Sequence, residues 1–288
     1  MNLKGTDSVN YSDRLQYLIE DIYDVIDREE EIEPELLDDF ASRIQDAVLQ
    51  WSQPKNQAKG LRMSNIGRPA RQLWYDSKND KPFKPNAVTR IKFLYGHLLE
   101  EVLLLLVKMA GHPVSDEQKE VEVDGIKGHI DCKIDGEVVD IKTASNFAFK
   151  KFSEGTLPQN DTFGYMAQLS GYEAAEGTSD GGFLAINKES GELALFRPGP
   201  FSKPNAKEKI KTLKEALELD SPPEKCYTPI PEGKKGNEIL PPPCVYCNYK
   251  NDCWSDSNEG NGLRIFKYSN GLKYFTKVVS EPRVEEIT

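Results

Sequence analysis

The sequence lacks any long hydrophobic run. Its longest strongly apolar stretch spans residues 102–107, whereas a bilayer-crossing helix takes about 20 apolar residues. The opening MNLKGTDSVN has no apolar stretch of signal-peptide type. The expectation is a soluble, cytoplasmic protein with no membrane partner. Cysteine is also scarce: there are 5 in 288 residues, which points to metal or redox chemistry sooner than to a disulfide framework. Positive charge is in deficit, with 37 Lys and Arg against 47 Asp and Glu. That balance argues against nucleic acid until its distribution is considered. Residues 1–50 hold 14 acids and 4 bases, which is the whole excess of 10, while residues 54–92 hold 10 bases and 2 acids. Phosphates need only such a local positive path, because screening limits fields to about 8 Å at physiological salt. The length allows a substantial core, as one elaborated domain or a domain with a small appendage.

What is present centres on residues 127–143, KGHIDCKIDGEVVDIKT. They read as two short strands joined at Asp135-Gly136, a dipeptide whose tolerance of positive φ suits a tight hairpin turn. In the second strand Val138, Asp140 and Lys142 alternate with Val139 and Ile141. This predicts carboxylate and ammonium on one face and the apolar pair toward a core. Asp131 lies nine residues before Asp140, and the turn brings the two carboxylates into one neighbourhood. Two acids with a lysine make a place for a hard divalent cation, since Mg²⁺ prefers oxygen ligands and keeps waters that a neighbouring base can use. An exposed cross-strand charge pair accounts for the same residues more blandly. Cys132 alternates with Asp131 and is expected on the opposite, core face.

Around the hairpin the pattern is α/β. Leu15, Leu18, Ile22, Tyr23 and Ile26 recur at helical spacing among acids, and Pro34 opens a second helix carrying Leu36, Leu37, Phe40, Ile44, Val48 and Trp51. A long helix is predicted over 86–110, closed by Gly111 as its left-handed cap. Residues 119–123 alternate as a strand, giving with the hairpin an expected three-stranded meander. Ser145 caps a short helix, and DTFGYMAQLSGYE places Tyr165, Gln168 and Tyr172 on one helix face. A glutamine between aromatics is hard to explain as core, because a buried amide needs partners. Strands at 182–187 and 192–196 follow, hinged at Ser190-Gly191, then a lysine-rich helix over 202–219. In MSNIGRPARQLWYDS, residues 63–77, Arg68 and Arg71 are candidate phosphate contacts. Trp74 and Tyr75 are candidate stacking surfaces for unpaired bases. Helix packing with surface arginines is the alternative.

GHID, a gap and then VVDIKTAS resembles the active-site hairpin of the PD-(D/E)XK nuclease superfamily, in particular its RecB-like exonuclease branch. The resemblance implies Asp131 and Asp140 as metal ligands and Lys142 as the catalytic lysine that positions and activates the attacking water. It adds the Ile141 carbonyl as a further ligand. Residues 63–77 resemble the opening motif of these nucleases, although iron-sulfur members carry a cysteine close to the position of Pro69 and this chain does not. Gly96 and Glu100 match a small residue followed, four positions on, by a group aimed at the metal. Glu100 is thereby implied as the third metal ligand, with His97 as its alternative. The string around Gln168 and Tyr172 resembles the Q-x3-Y motif, whose glutamine and tyrosine line the active site and orient DNA. The order helix, three strands, helix, two strands, helix matches the α/β/α core of the superfamily.

The remaining signal is Cys244-x2-Cys247-x5-Cys253 after Pro241-Pro242-Pro243, with Cys226 lying 18 residues before Cys244. Four thiolates at such spacing serve a tetrahedral Zn²⁺ or a [4Fe-4S] cluster. The pattern resembles the cluster-binding tail of the CRISPR-associated and AddB-type iron-sulfur nucleases. Those enzymes take their first ligand from before the core. Here Cys226 would replace it, and zinc stays open.

The expectation as a whole is a restriction-endonuclease-like α/β/α core with a central mixed sheet over residues 54–225. An acidic helical segment over 1–53 precedes it, and a cysteine-rich metal-binding tail over 226–288 follows. The implied activity is that of a Mg²⁺- or Mn²⁺-dependent deoxyribonuclease, a hydrolase of exonuclease type. It would act in DNA recombination, repair or processing by a bacterium or its phage. The expected partners are single-stranded DNA or duplex ends and a recombination or replication protein. A structure-specific endonuclease would use the same residues, and a catalytically inactive DNA-binding or adaptor protein could keep the fold.

Overall fold

The computed structural model describes residues 14–53, 60–79 and 85–287. The opening decapeptide and the bases Lys55, Lys59, Lys81 and Lys84 lie outside the described residues. In chain order the elements begin with helices α1 (Leu18–Asp27), α2 (Pro34–Ser52), α3 (Ala70–Lys78) and α4 (Ala87–Met109). Strands β1 (Val114–Ser115), β2 (Glu120–Val123), β3 (Ile126–His129), β4 (Cys132–Ile134) and β5 (Glu137–Ala144) follow. Then come α5 (Asn146–Ser153), α6 (Tyr165–Glu176), β6 (Gly182–Asn187), β7 (Leu193–Phe196) and α7 (Ala206–Glu218). The last part holds β8 (Ile230–Glu232), β9 (Asn237–Ile239), the short helices α8 (Pro242–Val245) and α9 (Lys250–Cys253), and strands β10 (Arg264–Tyr268), β11 (Gly271–Lys277) and β12 (Glu286–Ile287). No helix of the described residues is long and apolar enough to cross a membrane.

The described chain divides into two compact units. Residues 14–53, 60–67 and 85–211 form one, and residues 68–79 and 212–287 form the other.

The first unit is a mixed α/β structure around a central five-stranded sheet of order β1-β4-β5-β6-β7. β5 and β6 run parallel, Val139 beside Gly182 through Ala144 beside Asn187, and the other pairs are antiparallel. One sheet face is apolar because Cys132, Ile134, Val139, Ile141, Leu184 and Ile186 point to it. Leu15, Leu18 and Ile22 of the first helical segment and Leu103, Leu104 and Val107 of α4 close over it. Each such fully buried Leu or Ile contributes about 1.5–3 kcal/mol relative to exposure. Cys132 therefore sits in this core, as its alternation with Asp131 predicts. The long helix α4 starts where the Asn86 side chain accepts the Thr89 N–H at 2.9 Å. It stops at Gly111, which takes a left-handed φ of 72°.

Two expectations are corrected here. The three-stranded meander does not form, since β2 pairs with β3 as a separate two-stranded ribbon, Glu120 opposite His129 through Val123 opposite Ile126. The reason is a second Asp-Gly dipeptide. Asp124 and Gly125 take φ of 48° and 76°, as Asp135 and Gly136 take 51° and 88° in the β4–β5 turn. Two successive positive φ values make a two-residue hairpin, so each dipeptide closes its own. The edge of the main sheet is supplied instead by β1, Val114 opposite Ile134. The face of β5 carrying Val138, Asp140 and Lys142 is also covered, by α6, so Val138 and Asp140 are buried as completely as Val139.

The hairpin turn is tied down by a buried imidazole. His112 Nδ1 meets Asp135 Oδ2 at 2.5 Å and its Nε2 meets Asp21 Oδ2 of α1 at 3.1 Å. An acid of the N-terminal helix thus fixes the far end of the strands that carry the candidate site.

The second unit is built on an antiparallel sheet of order β12-β10-β11-β9-β8. Phe266 and Phe275 pack edge to face with centroids 4.9 Å apart, within the favourable range for aromatic pairs. A smaller cluster of Leu240, Cys244 and Trp254 lies under its short helices. Helix α3, distant in sequence, belongs to this unit.

Candidate active site and cysteine group

The β4–β5 register sets Cys132 opposite Val139. Asp131 comes immediately before this ladder, close enough to Asp140 for the two charges to act on each other. The Asp131 backbone is held where ribbon and sheet part, its carbonyl accepting the Gln118 N–H at 3.0 Å. Asp131 Oδ2 accepts the Ile141 N–H at 2.7 Å. Asp140 Oδ2 is in ion contact with Lys142 Nζ, and Asp140 Oδ1 accepts from Gln168 Nε2 at 3.2 Å. The same amide nitrogen donates to the Tyr172 hydroxyl at 3.1 Å. The glutamine that resisted a core explanation thus has its partners, one acid and one phenol.

Helix α6 is aimed at this point by its first turn. The Asp161 carboxylate accepts the backbone N–H groups of Gly164, Tyr165 and Met166 at 2.8, 3.0 and 2.8 Å, which satisfies orphan donors of the helix start. Gly164 takes a φ of 81°, and its backbone lies so close to Gly67 that a Cβ on Gly67 would come within 2.2 Å of it. Tyr165, expected on the same helix face as Gln168 and Tyr172, lies over the site: its ring centroid is 4.9 Å from Lys142 Nζ. The ring also stacks on Phe163 at 5.5 Å.

The electrostatics are those of acids crowded out of water. Burial first, then the Asp140 charge, raises the Asp131 carboxyl well above the usual carboxylate range. Glu100, on α4, is pushed up to about 7 by burial, Glu101 and Asp140. Its Oε1 accepts from Gln118 Nε2 at 2.7 Å. Lys142 behaves oppositely. Burial favours its neutral amine, but Asp140 and Asp131 outweigh that and hold it above the ordinary lysine value, as an ammonium. Tyr172 is raised by burial and by Asp140, so it remains a hydroxyl.

Of the predicted residues, Asp131, Asp140, Lys142, Gln168 and Tyr172 are thus knit together, and Glu100 is joined to them by charge. Glu100 comes from the α4 side of the sheet, where it lines a cleft of about 350 Å³ with His97, Ile141 and Thr143. Gln118 is a site residue that the sequence pattern does not disclose. It is held at a left-handed φ of 53°, and no local pattern announces a glutamine in that conformation.

In the second unit the four predicted cysteines are neighbours. Burial raises the thiols of Cys226, Cys244 and Cys247, Cys244 up to about 11, and every pair among these three and Cys253 interacts electrostatically. The Cys226 sulfur accepts the backbone N–H groups of Gln72 and Arg71. Arg71 Nε donates to Cys253 Sγ at 3.1 Å, and its Nη1 donates to the Pro223 carbonyl. Trp74 Nε1 donates to the Leu219 carbonyl at 2.8 Å, and Tyr75 stacks on Tyr249 at 5.4 Å. Three of the four residues read as DNA contacts are therefore engaged within their own unit, while Arg68 is exposed. Among the described residues no group of three or more His, Cys, Asp or Glu forms a ready-made metal site.

No family model and no curated protein matches this sequence. Among solved structures the chain is similar to one described as "Crystal structure of SSO0001", at 17% identity and a TM-score of 0.39, over 73% of this chain and 91% of that one. A likeness at that level carries no argument about fold or function.

Proposed function

We propose that this chain is a divalent-metal-dependent deoxyribonuclease of the PD-(D/E)XK type, RecB-like in topology, which hydrolyses phosphodiester bonds from DNA ends. The observation that carries the reading is the convergence of Asp131, Asp140, Lys142, Gln168 and Tyr172 from one hairpin and one helix, with Glu100 in electrostatic range.

The donor set fits a hard cation. Asp131 and Glu100 are both raised by burial first and then by their neighbours' negative charge, and a doubly positive ion among carboxylate oxygens relieves that repulsion. Asp131, Asp140 and Glu100 would hold Mg²⁺ or Mn²⁺, with the Ile141 carbonyl or His97 as further donors. Such an ion, when bound, polarises a phosphate and acidifies its water. The chain's own contributions follow from the site. Lys142, kept as an ammonium, stabilises negative charge developing on the phosphate oxygens and is not suited to taking a proton. Glu100, as one of the acids that would hold the ion, would give up its proton when the ion binds. Gln168 and Tyr172 brace Asp140 and orient the strand.

The cysteine group fits a four-thiolate metal site, either a [4Fe-4S] cluster or Zn²⁺. Four mutually repelling sulfurs with N–H donors from Arg71, Gln72 and Tyr249 gain by sharing a cation. Its role in this reading is structural, a metal-binding tail in place of a hydrophobic core.

The test is digestion of linear single-stranded, linear duplex and circular DNA with Mg²⁺, Mn²⁺ or chelator, beside an Asp140→Ala control. Linear substrates should disappear only with the metal and only with the unaltered chain. Absence of any metal-dependent digestion overturns the reading, and cutting of circles converts it to an endonuclease. Absorption of anaerobically purified protein separates the tail metals: a brown sample means a cluster, and a colourless, zinc-loaded one means the alternative.

A further inference from the structure

Helix α4 carries a glycine that the fold does not demand. Gly96 lies in the helix interior, where glycine costs about 0.5–1 kcal/mol relative to alanine. Yet a Cβ built on it meets nothing within 4 Å. No neighbour among the described residues requires the missing side chain, and the space in front of it is open.

That space is the cleft beside Glu100. Phe93, Gly96, His97 and Glu100 recur at helical spacing, i, i+3, i+4 and i+7, and so form one stripe of α4. All four line the cleft, with Lys92, Tyr95, Thr143 and Lys188 at its margins. Phe93 and Tyr95 are 52% and 54% exposed, so both leave aromatic surface open at the cleft. Lys92 and Lys188 are exposed as well, and neither forms an ion pair with an acid among the described residues. The volume of about 350 Å³ is at the lower end of small-ligand sites, about 300–1,000 Å³. It suits roughly one nucleotide.

We propose that this cleft is the subsite for an unpaired nucleotide of the strand being processed. Gly96 would admit the sugar-phosphate backbone against the helix, Phe93 and Tyr95 would stack the base, and Lys92 and Lys188 would take phosphates. The assignment rests on the nuclease reading and adds a substrate class to it. Aromatic faces at this depth read a base only when it is unstacked from a partner strand, so duplex must be frayed or resected before its end enters. Glu100, at the inner wall, links the subsite to the acids. Gly96 is on this view a specificity determinant, and any side chain there narrows the path.

The experiment measures binding of a labelled oligothymidylate of about 12 nucleotides, and of a blunt duplex, in chelator so that nothing is cut. Digestion rates with Mg²⁺ are measured in parallel. Gly96→Leu should melt no lower than the unaltered protein, because the site is open and leucine favours helix, yet bind the single strand at least about tenfold more weakly. The pair Phe93→Ser, Tyr95→Ser should lose a similar factor. Phe201→Ser, an exposed aromatic outside the cleft, should change nothing. If folded Gly96→Leu binds and digests as the unaltered chain does, or Phe201→Ser weakens binding equally, the subsite is wrong while the nuclease reading stands. If the unaltered protein neither binds nor cuts any DNA, both fall.

Discussion

The acid site and the cysteine group both gather ionisable side chains that repel one another, and they contain the repulsion differently. At the acid site the chain supplies its own counter-charge, with Lys142 in contact with Asp140 and within reach of Asp131. Its members ride on a hairpin whose opposite face is welded to α1 and α4 through a large apolar core. The cysteines sit among helices of four residues, α8 and α9, over a cluster of only a few buried side chains. Arg71, with Lys250 beside Cys247, is the counter-charge at their disposal. The first site can stand without a metal and would use one for chemistry. The second would need its metal to hold the local structure, since short helices do not persist without tertiary support.

The largest effect that separates the two is expected at Cys247. In Cys247→Ser the second unit should lose its metal and several kcal/mol of stability, because metal binding free energy is there folding free energy. Solubility should fall before catalytic chemistry does. Cys132→Ala is the matched change in the first unit. It should lose about 1–3 kcal/mol through a small cavity and leave the metal content unchanged. Metal analysis and thermal denaturation of both variants decide the matter. A Cys247→Ser protein with unaltered stability and metal content would make the cysteine group something other than a structural site.

Next in size is Lys142→Met. It removes the counter-charge and leaves Asp140 buried, so the metal-free protein should lose about 3–5 kcal/mol. Digestion should fall about 10²–10³-fold, the usual effect of deleting one transition-state charge stabiliser. Saturating Mg²⁺ should recover part of the stability and none of the rate, as a ligand bound only to the folded state must. Recovery of the rate by Mg²⁺ would mean that Lys142 serves the fold alone.

How much of this was legible in the sequence differs between the same two regions. Period-two alternation and the Asp135-Gly136 dipeptide were enough to put Asp140 and Lys142 on one strand face. Period 3.6 put Gln168 and Tyr172 on one helix face, because both periodicities are properties of the local backbone. Which elements become neighbours is not local. The Asp124-Gly125 turn diverts β2 into its own ribbon, and Tyr165, while still beside Phe152 and Phe183, also covers Lys142. Arg71 reaches Cys253, 182 residues further along the chain. A guanidinium looks the same in sequence whether it meets a sulfur or a phosphate, so no pattern around residue 71 could separate the two.

The smallest effect is a pH dependence confined to the acid site. Glu100 has a folded value of about 7 against 4.5 for a free glutamate, so the folded state holds this proton more tightly than the unfolded one. Its contribution is full below about pH 4.5 and is lost as pH rises through about 7. Metal-free protein should therefore melt progressively lower across that window, by on the order of 2 kcal/mol after allowance for partial exposure and coupling. Asp131, shifted in the same direction, steepens the fall. Glu100→Gln keeps the shape of the protonated carboxyl and should flatten the profile, as should saturating Mg²⁺, which replaces the proton as the neutralising charge. Burial raises the thiols of Cys226, Cys244 and Cys247 above the ordinary thiol value, out of that window. A flat profile for the unaltered, metal-free chain between about pH 5 and about pH 8 would mean that the three carboxylates do not share one electrostatic site.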